Sequence, residues 1–180
     1  MTPLVARRAK TIVGWRSSHR QTDAGAVESQ QRAILDAPVV EFSEEGARAL
    51  GERYWAQVER STLGLVRADC RDESLELRLV GGRPLLLRFA PPRLEASATL
   101  VRCTYPIAGG LLARRPNGEI SFAQSKQGPA ELTSTIRGFF PRLAARQGGP
   151  NWSGALYNHI QSRIHISISK RYFASLIESR

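Results

Sequence analysis

The sequence is poor in the residues that mark specific chemistry, and this excludes several classes of protein. Two cysteines and three histidines in 180 residues are too few for a disulfide-built fold or a histidine-rich metal centre. No stretch approaches the ~18 uncharged apolar residues of a membrane-spanning helix. Hydrophobic residues make up 42% of the chain and charged residues 23%, so disordered and collagen-like classes are excluded as well.

The amino-terminal segment is basic but does not have the pattern of a secretory signal. Residues 1–20 carry five cations and no acidic residue, without the apolar core and small-residue cleavage site of a signal peptide. We therefore expect a cytoplasmic protein in which Cys70 and Cys103 are buried, reduced thiols. The interpretation is a basic arm over residues 1–37, with a short helix from Ala24 to Leu35 as one option, followed by a single α+β domain over residues 38–180.

The charge is concentrated at the two ends of the chain. The net charge is +10, to which residues 1–20 contribute +5 and residues 137–180 contribute +6, leaving −1 for the middle. Such asymmetry favours attraction to an anionic partner such as nucleic acid, lipid headgroups or an acidic protein.

A helix is predicted directly after Ser43. Ser43 is a good N-cap, and Glu44 and Glu45 place negative charge in the first turn, where the helix dipole favours it. Apolar residues then recur at spacings of three and four, which predicts one buried stripe: Ala47, Leu50, Tyr54 and Val58. Gly64 is the expected stop. Before this helix, Val39 to Phe42 is predicted to form a short edge strand.

From Leu65 to Gly138 the apolar period changes to two, which is typical of a meander of antiparallel strands. A hairpin is predicted over residues 75–89 with a Gly81-Gly82 turn, and a longer strand from Thr99 to Tyr105. A second hairpin is placed between residues 111–115 and 120–124, with its tip at Pro116 to Gly118, and a last strand over residues 131–137. Gly109-Gly110 indicates a bulge or a close backbone approach. The pattern predicts about six strands.

The last third of the chain favours a long helix, although Ile164 to Ile168 also alternates as a strand would. Apolar residues recur every fourth position, namely Leu156, Ile160, Ile164, Ile168, Tyr172 and Leu176. The predicted fold class is therefore α+β, with a curved antiparallel sheet packed on a long carboxyl-terminal helix and one helix before the meander.

No catalytic motif is present, and whether the chain catalyses a reaction stays open. His159 and His165 are six residues apart, so one helix cannot bring them to the same metal ion, and His19 is expected to be solvated. The glycine pairs lack the lysine and hydroxyl pattern of a phosphate-binding loop. Glu76 and Glu119 are interpreted as solvated carboxylates. We predict no catalytic residue, no metal site and no cofactor.

The order of these elements resembles the helix-grip arrangement of START-like (SRPBCC) proteins, in which a curved antiparallel sheet wraps a terminal helix and encloses an apolar cavity. The resemblance covers residues 38–180 and depends on element order, without a residue motif. It implies binding of a hydrophobic small molecule. The residues proposed to line the cavity are Tyr105, Ile107, Leu112, Phe122, Phe139 and Phe140.

The charged ends of the chain support a different hypothesis. A basic interaction module would combine cations with neighbouring aromatic residues, and the last helix offers Arg163, Lys170 and Arg171 for binding nucleic acid or anionic lipid. Steep salt dependence would distinguish this function from binding of an apolar molecule.

Overall fold

The computed structural model describes residues 11–71, 73–81, 84–141 and 167–178. In these residues one helix, α1, spans Glu44–Ser61, and residues 167–178 are also helical and are labelled α2. Nine strands are present in the described residues, in the chain order β1 Ile12–Gln21, β2 Val27–Leu35, β3 Val66–Arg71, β4 Ser74–Leu79, β5 Leu85–Phe89, β6 Arg93–Ala96, β7 Leu100–Gly109, β8 Glu119–Lys126 and β9 Ala130–Phe139. The predicted α+β class is confirmed, but the sheet has nine strands where about six were expected.

The strands form one antiparallel sheet in the order β1-β2-β9-β8-β7-β5-β4-β3. The short β6 lies beside this path and pairs with β7. β7 is the junction of the sheet, because Thr104 pairs with both β6 and β8 while Ile107 and Gly109 pair with β5. The amino-terminal β1 and β2 extend the sheet beyond β9.

The predicted helix α1 is confirmed in its cap and in its buried stripe. The Ser43 side chain accepts a hydrogen bond from the Gly46 amide at 3.1 Å, as an N-cap serine should. The four residues of the predicted stripe, Ala47, Leu50, Tyr54 and Val58, are all buried. The helix ends at Ser61, and Gly64 follows with a left-handed φ of 75°. This places one face of α1 against β7 and β8.

The two helices and the sheet share an aromatic core. Tyr54 of α1 stacks on Phe122 of β8 with ring centroids 4.2 Å apart, and Tyr172 of α2 lies 5.6 Å from the same Phe122 ring. The Tyr172 hydroxyl donates to the Leu50 carbonyl at 2.9 Å, which ties α2 to α1. Phe173 lies 5.5 Å from Trp15 of β1. α2 therefore packs against the same face of the sheet as α1, which we call the inner face.

The end of α1 covers the edge strand β3. Strand edges expose unpaired backbone groups that would template pairing with another chain. Here the Val66 amide donates to the Thr62 hydroxyl at 3.2 Å, and the Ala68 amide donates to the Glu59 carboxylate at 2.8 Å. Side chains from one helix turn thus satisfy two edge amides.

Three local predictions before the meander are wrong. Residues 27–35 form β2 and not a short helix, and β1 and β2 belong to the sheet although residues 1–37 were expected to be an arm. Residues 39–42 are not a strand. Instead, the Gln124 side chain pairs with this segment as a strand would, accepting from the amides of Val39 and Val40 and donating to the Val40 carbonyl. The side-chain amide of Gln124 therefore makes the hydrogen bonds that the backbone of a neighbouring strand would make.

Within the meander, most predictions are confirmed. The hairpin of β4 and β5 and the long strand β7 are present, and β9 covers residues 130–139. The second hairpin is wrong in one arm, because β8 pairs with β7 itself while residues 111–115 lie in the connection. The backbone at Gly110 closely approaches the backbone of β5, because a Cβ atom at this position would lie 2.5 Å from the Leu86 carbonyl oxygen.

Two predictions of exposure are also wrong. Cys103 is buried as expected, but Cys70 is exposed because it lies on the edge strand β3. Glu76 is buried in the middle of β4, where Arg78 and Arg88 form ion pairs with its carboxylate at 2.6 and 2.9 Å. The alternation of leucines in the sequence did not indicate the burial of Glu76, because it is typical of a strand with one exposed face, whereas β4 is buried on both faces at Leu75 to Leu77.

Candidate functional site

The inner face of the sheet carries a short polar stretch inside an otherwise apolar core. In register across the strands lie Ser17, Gln31, Ser134, Phe122 and Cys103. Gln31 and Ser134 are fully buried, whereas Ser17 at the β1 edge is exposed. Ser29, two residues along β2, is also buried. A polar path therefore runs from the exposed edge of the sheet to its interior.

The oxygens of this stretch lack partners. Among the described residues, Gln31 Oε1, Ser134 Oγ and Ser169 Oγ are buried without a hydrogen bond. The other end of the Gln31 amide is fixed, because its Nε2 donates to Ser29 Oγ at 3.4 Å. A buried polar atom without a partner costs about 1–3 kcal/mol, so native proteins usually satisfy such atoms with protein, water or ligand.

Ser169 belongs to the layer between α2 and the sheet. It precedes Tyr172 and Phe173 by three and four residues, which puts all three on one helix face, and all three are completely buried. Tyr172 contacts Phe122, which stands opposite Ser134 in the sheet. We call Ser29, Gln31, Ser134 and Ser169 the inner polar cluster.

The inner polar cluster is electrically neutral. It contains hydroxyls and one amide, and none of its members is ionisable. Burial raises the pKa of the nearby Cys103 thiol to about 11, so this thiol is protonated at neutral pH. Burial also raises the pKa values of Tyr54 and Tyr172. An uncharged hydrogen-bonding group is therefore the chemistry that matches this cluster, because an ion would lose its hydration without a counter-charge.

The six residues predicted to line a cavity lie in or beside the core. Tyr105, Ile107, Phe122 and Phe139 belong to one continuous core cluster, and the half-buried Leu112 packs against it. Phe140 is buried outside that cluster, with the Arg115 guanidinium 3.7 Å above its ring. Phe122 is the member that stands next to the inner polar cluster, through its register partner Ser134. Their role as a ligand lining stays a prediction.

Two of the three basic residues predicted to bind an anionic surface lie in the described part of the chain. Lys170 and Arg171 are exposed on α2, and the Lys170 Nζ lies 5.6 Å from the centre of the Trp15 ring. Arg163 lies outside the described residues, as do His159 and His165. His19 is exposed, as expected.

The opposite face of the sheet, which we call the outer face, carries a second polar row. In register across five strands lie Thr104, Ser121, Thr135, Gln30 and Ser18. At a strand spacing of ~4.8 Å, this hydroxyl row is about 19 Å long. Two pockets of about 480 and 280 Å³ lie along it and share Gln30, Thr135 and Arg137.

Ion pairs border the hydroxyl row. Arg93 reaches across β7 to Glu119 at 2.6 Å, Arg102 pairs with Glu95 at 3.2 Å, and Arg32 pairs with Glu131 at 3.4 Å. Glu119, interpreted as solvated, is half-buried and ion-paired. These partly exposed pairs contribute little to stability individually. They do hold the charged side chains along the sides of the row.

Metal binding finds no support in the part of the chain that the structure describes. No group of three or more His, Cys, Asp or Glu side chains is placed there to hold an ion. None of the described helices is long and apolar enough to cross a membrane.

Comparison with protein-family models, with curated proteins and with solved structures found no match.

Sequence reasoning missed both polar rows. The available signal for the inner one was the alternation Val27, Ser29, Gln31, Ala33, Leu35, in which every residue is buried. Because Ser, Gln and Ala interrupt the apolar pattern, the alternation did not register as a strand. The outer row depends on strand register, which the sequence does not show directly.

Proposed function

We propose that the protein binds a small, uncharged, largely apolar molecule between the inner face of the sheet and α2, with a hydroxyl or amide group of that molecule held by the inner polar cluster. The observation that carries the proposal is a set of three buried oxygens that have no hydrogen-bond partner in the part of the chain that the structure describes, Gln31 Oε1, Ser134 Oγ and Ser169 Oγ. Polar groups of a ligand that donate to Gln31 and bond to the two serines would satisfy all three.

The surroundings of the cluster favour an apolar body for the ligand. Phe122, Tyr172 and Phe173 are fully buried near the cluster and offer aromatic surface. Binding sites of this kind are mostly apolar, with a few polar groups that fix orientation. The exposed Ser17 and His19 at the β1 edge mark the side from which a ligand would enter.

The architecture supports the same function by analogy. An antiparallel sheet with a helix from the carboxyl-terminal part of the chain on its inner face is the arrangement that prompted the helix-grip comparison. Fold analogy alone does not determine function, so the proposal depends on the polar cluster. The proposed ligand lining therefore differs from the six mainly apolar residues predicted from the sequence. It consists of Gln31, Ser134 and Ser169, with Phe122 beside them.

Native mass spectrometry of the purified protein tests this proposal. We expect a neutral compound to accompany the wild-type chain and to be lost under denaturing conditions. Gln31→Leu should lose the compound, because Leu offers no acceptor at the same position. Thr133→Ala, on the outer face of β9, is the matched control and should retain it. A wild-type chain that carries no compound, or retention by Gln31→Leu, would contradict the proposal.

The alternative function, a basic module that binds nucleic acid or anionic lipid, has a narrower basis. Lys170 and Arg171 are adjacent, exposed cations on α2. Binding through them would weaken steeply between low and moderate salt, because phosphate contacts release counterions. Gel-shift and vesicle-sedimentation assays at two salt concentrations measure this. Binding that Lys170→Gln and Arg171→Gln abolish would favour the alternative, and absence of binding would remove it.

A further inference from the structure

The outer face of the sheet has unused hydrogen-bonding capacity. The hydroxyls of Thr104, Ser121 and Thr135 and the Gln30 amide make no side-chain hydrogen bond within the described residues, although Thr104 and Thr135 are buried. Four such groups in register form a row of donors and acceptors at the base of the two pockets. A row of this kind matches a ligand with several hydroxyl groups.

Arg137 is a cation of this face without a counter-ion among the described residues. Arg137 of β9 stands opposite Glu119 in the register, but the Glu119 carboxylate is bound to Arg93 at 2.6 Å. The carboxylates of Glu95 and Glu131 are held by Arg102 and Arg32. Arg137 is exposed and forms no ion pair among the described residues. It lines both pockets, so the free charge sits where they meet.

We propose that this groove binds a small polyhydroxylated molecule with one anionic group, of the class of sugar acids and sugar phosphates, with the anionic group on Arg137 and the hydroxyls on Gln30, Ser121 and Thr135. A guanidinium fork matches the geometry of carboxylate and phosphate oxygens. The larger pocket, at about 480 Å³, falls in the size range of small-molecule sites.

The composition of the groove argues against other ligands. No Phe, Tyr or Trp side chain lines either pocket among the described residues, and His19 lines only the smaller one, so stacking of successive nucleic-acid bases is disfavoured there. A polyanion is disfavoured as well, because four of the arginines on this face, Arg20, Arg32, Arg93 and Arg102, are already paired with glutamates. Among the described residues that line the two pockets, Arg137 is the one arginine without an ion pair, and one such cation beside hydroxyls matches a small ligand with one anionic group.

Amide chemical-shift titration by NMR tests the proposal with four probes: glucuronate, glucose 6-phosphate, glucose and inorganic phosphate. We expect glucuronate or glucose 6-phosphate to shift the amides of β8 and β9, and glucose to bind at least about tenfold more weakly because it lacks the charge. The probe that binds more tightly identifies the anion as carboxylate or phosphate. Inorganic phosphate binding as tightly as glucose 6-phosphate would overturn the role of the hydroxyl row.

Two variants separate the parts of the site. Arg137→Gln should weaken the anionic sugars about tenfold, whereas Arg16→Gln, which removes an arginine that lies outside both pockets and has no ion pair with any described residue, should leave binding unchanged. Thr135→Val should weaken the sugars but not inorganic phosphate. Equal affinity of Arg137→Gln and wild type, or no shift with any probe, would overturn the proposal. Unchanged melting temperatures show that the variants fold.

Discussion

Gln31 of β2 lies directly opposite Ser134 of β9, and both are completely buried with an oxygen that no group in the described residues satisfies. Their strands are adjacent, yet the two side chains do not bond to each other. Two such oxygens lower the stability of the folded chain unless another group forms hydrogen bonds with them. This relationship is the basis of the proposed ligand site and makes it testable through stability as well as binding.

Ser134→Ala is expected to stabilise the ligand-free protein. The substitution removes a buried hydroxyl that has no partner among the described residues and leaves the backbone unchanged, so the free energy of unfolding should rise by about 1 kcal/mol. Urea denaturation of protein refolded without ligand measures this. A loss of about 1 kcal/mol or more would mean that the hydroxyl has a partner in the ligand-free protein. Thr133→Ala on the outer face is the control.

Gln124 should be among the most sensitive positions in the sheet. Its amide holds the Val39 and Val40 backbone at 2.7–3.0 Å and is completely buried. Gln124→Ala leaves two amides and a carbonyl without partners and should cost about 3 kcal/mol of unfolding free energy. Gln127→Ala, an exposed position beyond β8, should have little effect. Equal denaturation midpoints for the two variants would contradict the role of Gln124.

Gly51 allows α1 to approach the sheet. A Cβ at this position would collide with the Tyr105 hydroxyl. Gly51→Ala should therefore destabilise the protein by about 2 kcal/mol through overpacking, although alanine is the better helix former by about 1 kcal/mol. Thermal unfolding measures this against Glu52→Ala at the exposed neighbouring position. A raised melting temperature for Gly51→Ala would show that the helix does not lie this close to β7.

The ion pairs of Glu76 predict a dependence of stability on pH. Hydrogen bonding from Arg78, and then from Arg88, lowers the pKa of Glu76 below its usual value of 4.5. A lowered pKa contributes stability above the unfolded-state value, and this contribution is lost as the pH falls through the folded-state pKa. Glu76→Gln should thus be less stable than wild type at pH 7, and the difference should shrink on acidification below 4.5.

Urea midpoints of the two proteins between neutral and acidic pH measure this difference. Glu95→Gln serves as the control because its pair with Arg102 is largely exposed. A difference between wild type and Glu76→Gln that stays constant over the whole pH range would contradict the assignment.

The two cysteines should differ in reactivity. Cys70 is exposed on β3, whereas burial raises the pKa of Cys103 to about 11 and keeps its thiol both protonated and covered. A thiol reagent at neutral pH should therefore label one cysteine in the native protein and two in denaturant. Cys70→Ser should abolish native labelling. Rapid labelling of Cys103 in the folded protein would show that the inner face opens readily.

Whether an element can be predicted from the sequence depends on how that element is stabilised. α1 was predictable because its signals are local: a capping serine, acidic residues in the first turn and a periodic apolar stripe. β2 was not, because Ala26, Val27, Gln30 and Ile34 have helical spacing while the buried positions Ser29 and Gln31 are polar. β2 pairs with the preceding β1 and also with β9, which lies about one hundred residues later in the chain, so part of its stabilisation is non-local.

The same reason explains why the candidate sites were missed. Gln31 and Ser134 become neighbours only through the pairing of β2 with β9, and the hydroxyl row needs the register of five strands. The residues that aromatic content suggested, such as Phe122 and Tyr105, are core residues. Composition identified the core well, but the polar positions inside it depend on register.

A crystal structure of the protein as purified, at a resolution that shows ordered water, tests the central claim most directly. We predict continuous non-protein density between β2, β9 and α2, with an atom about 2.7–3.2 Å from Gln31 Oε1 and another equally close to Ser134 Oγ. Isolated waters at these oxygens, or a direct Gln31 to Ser134 hydrogen bond in a fully packed core, would contradict the proposed ligand site.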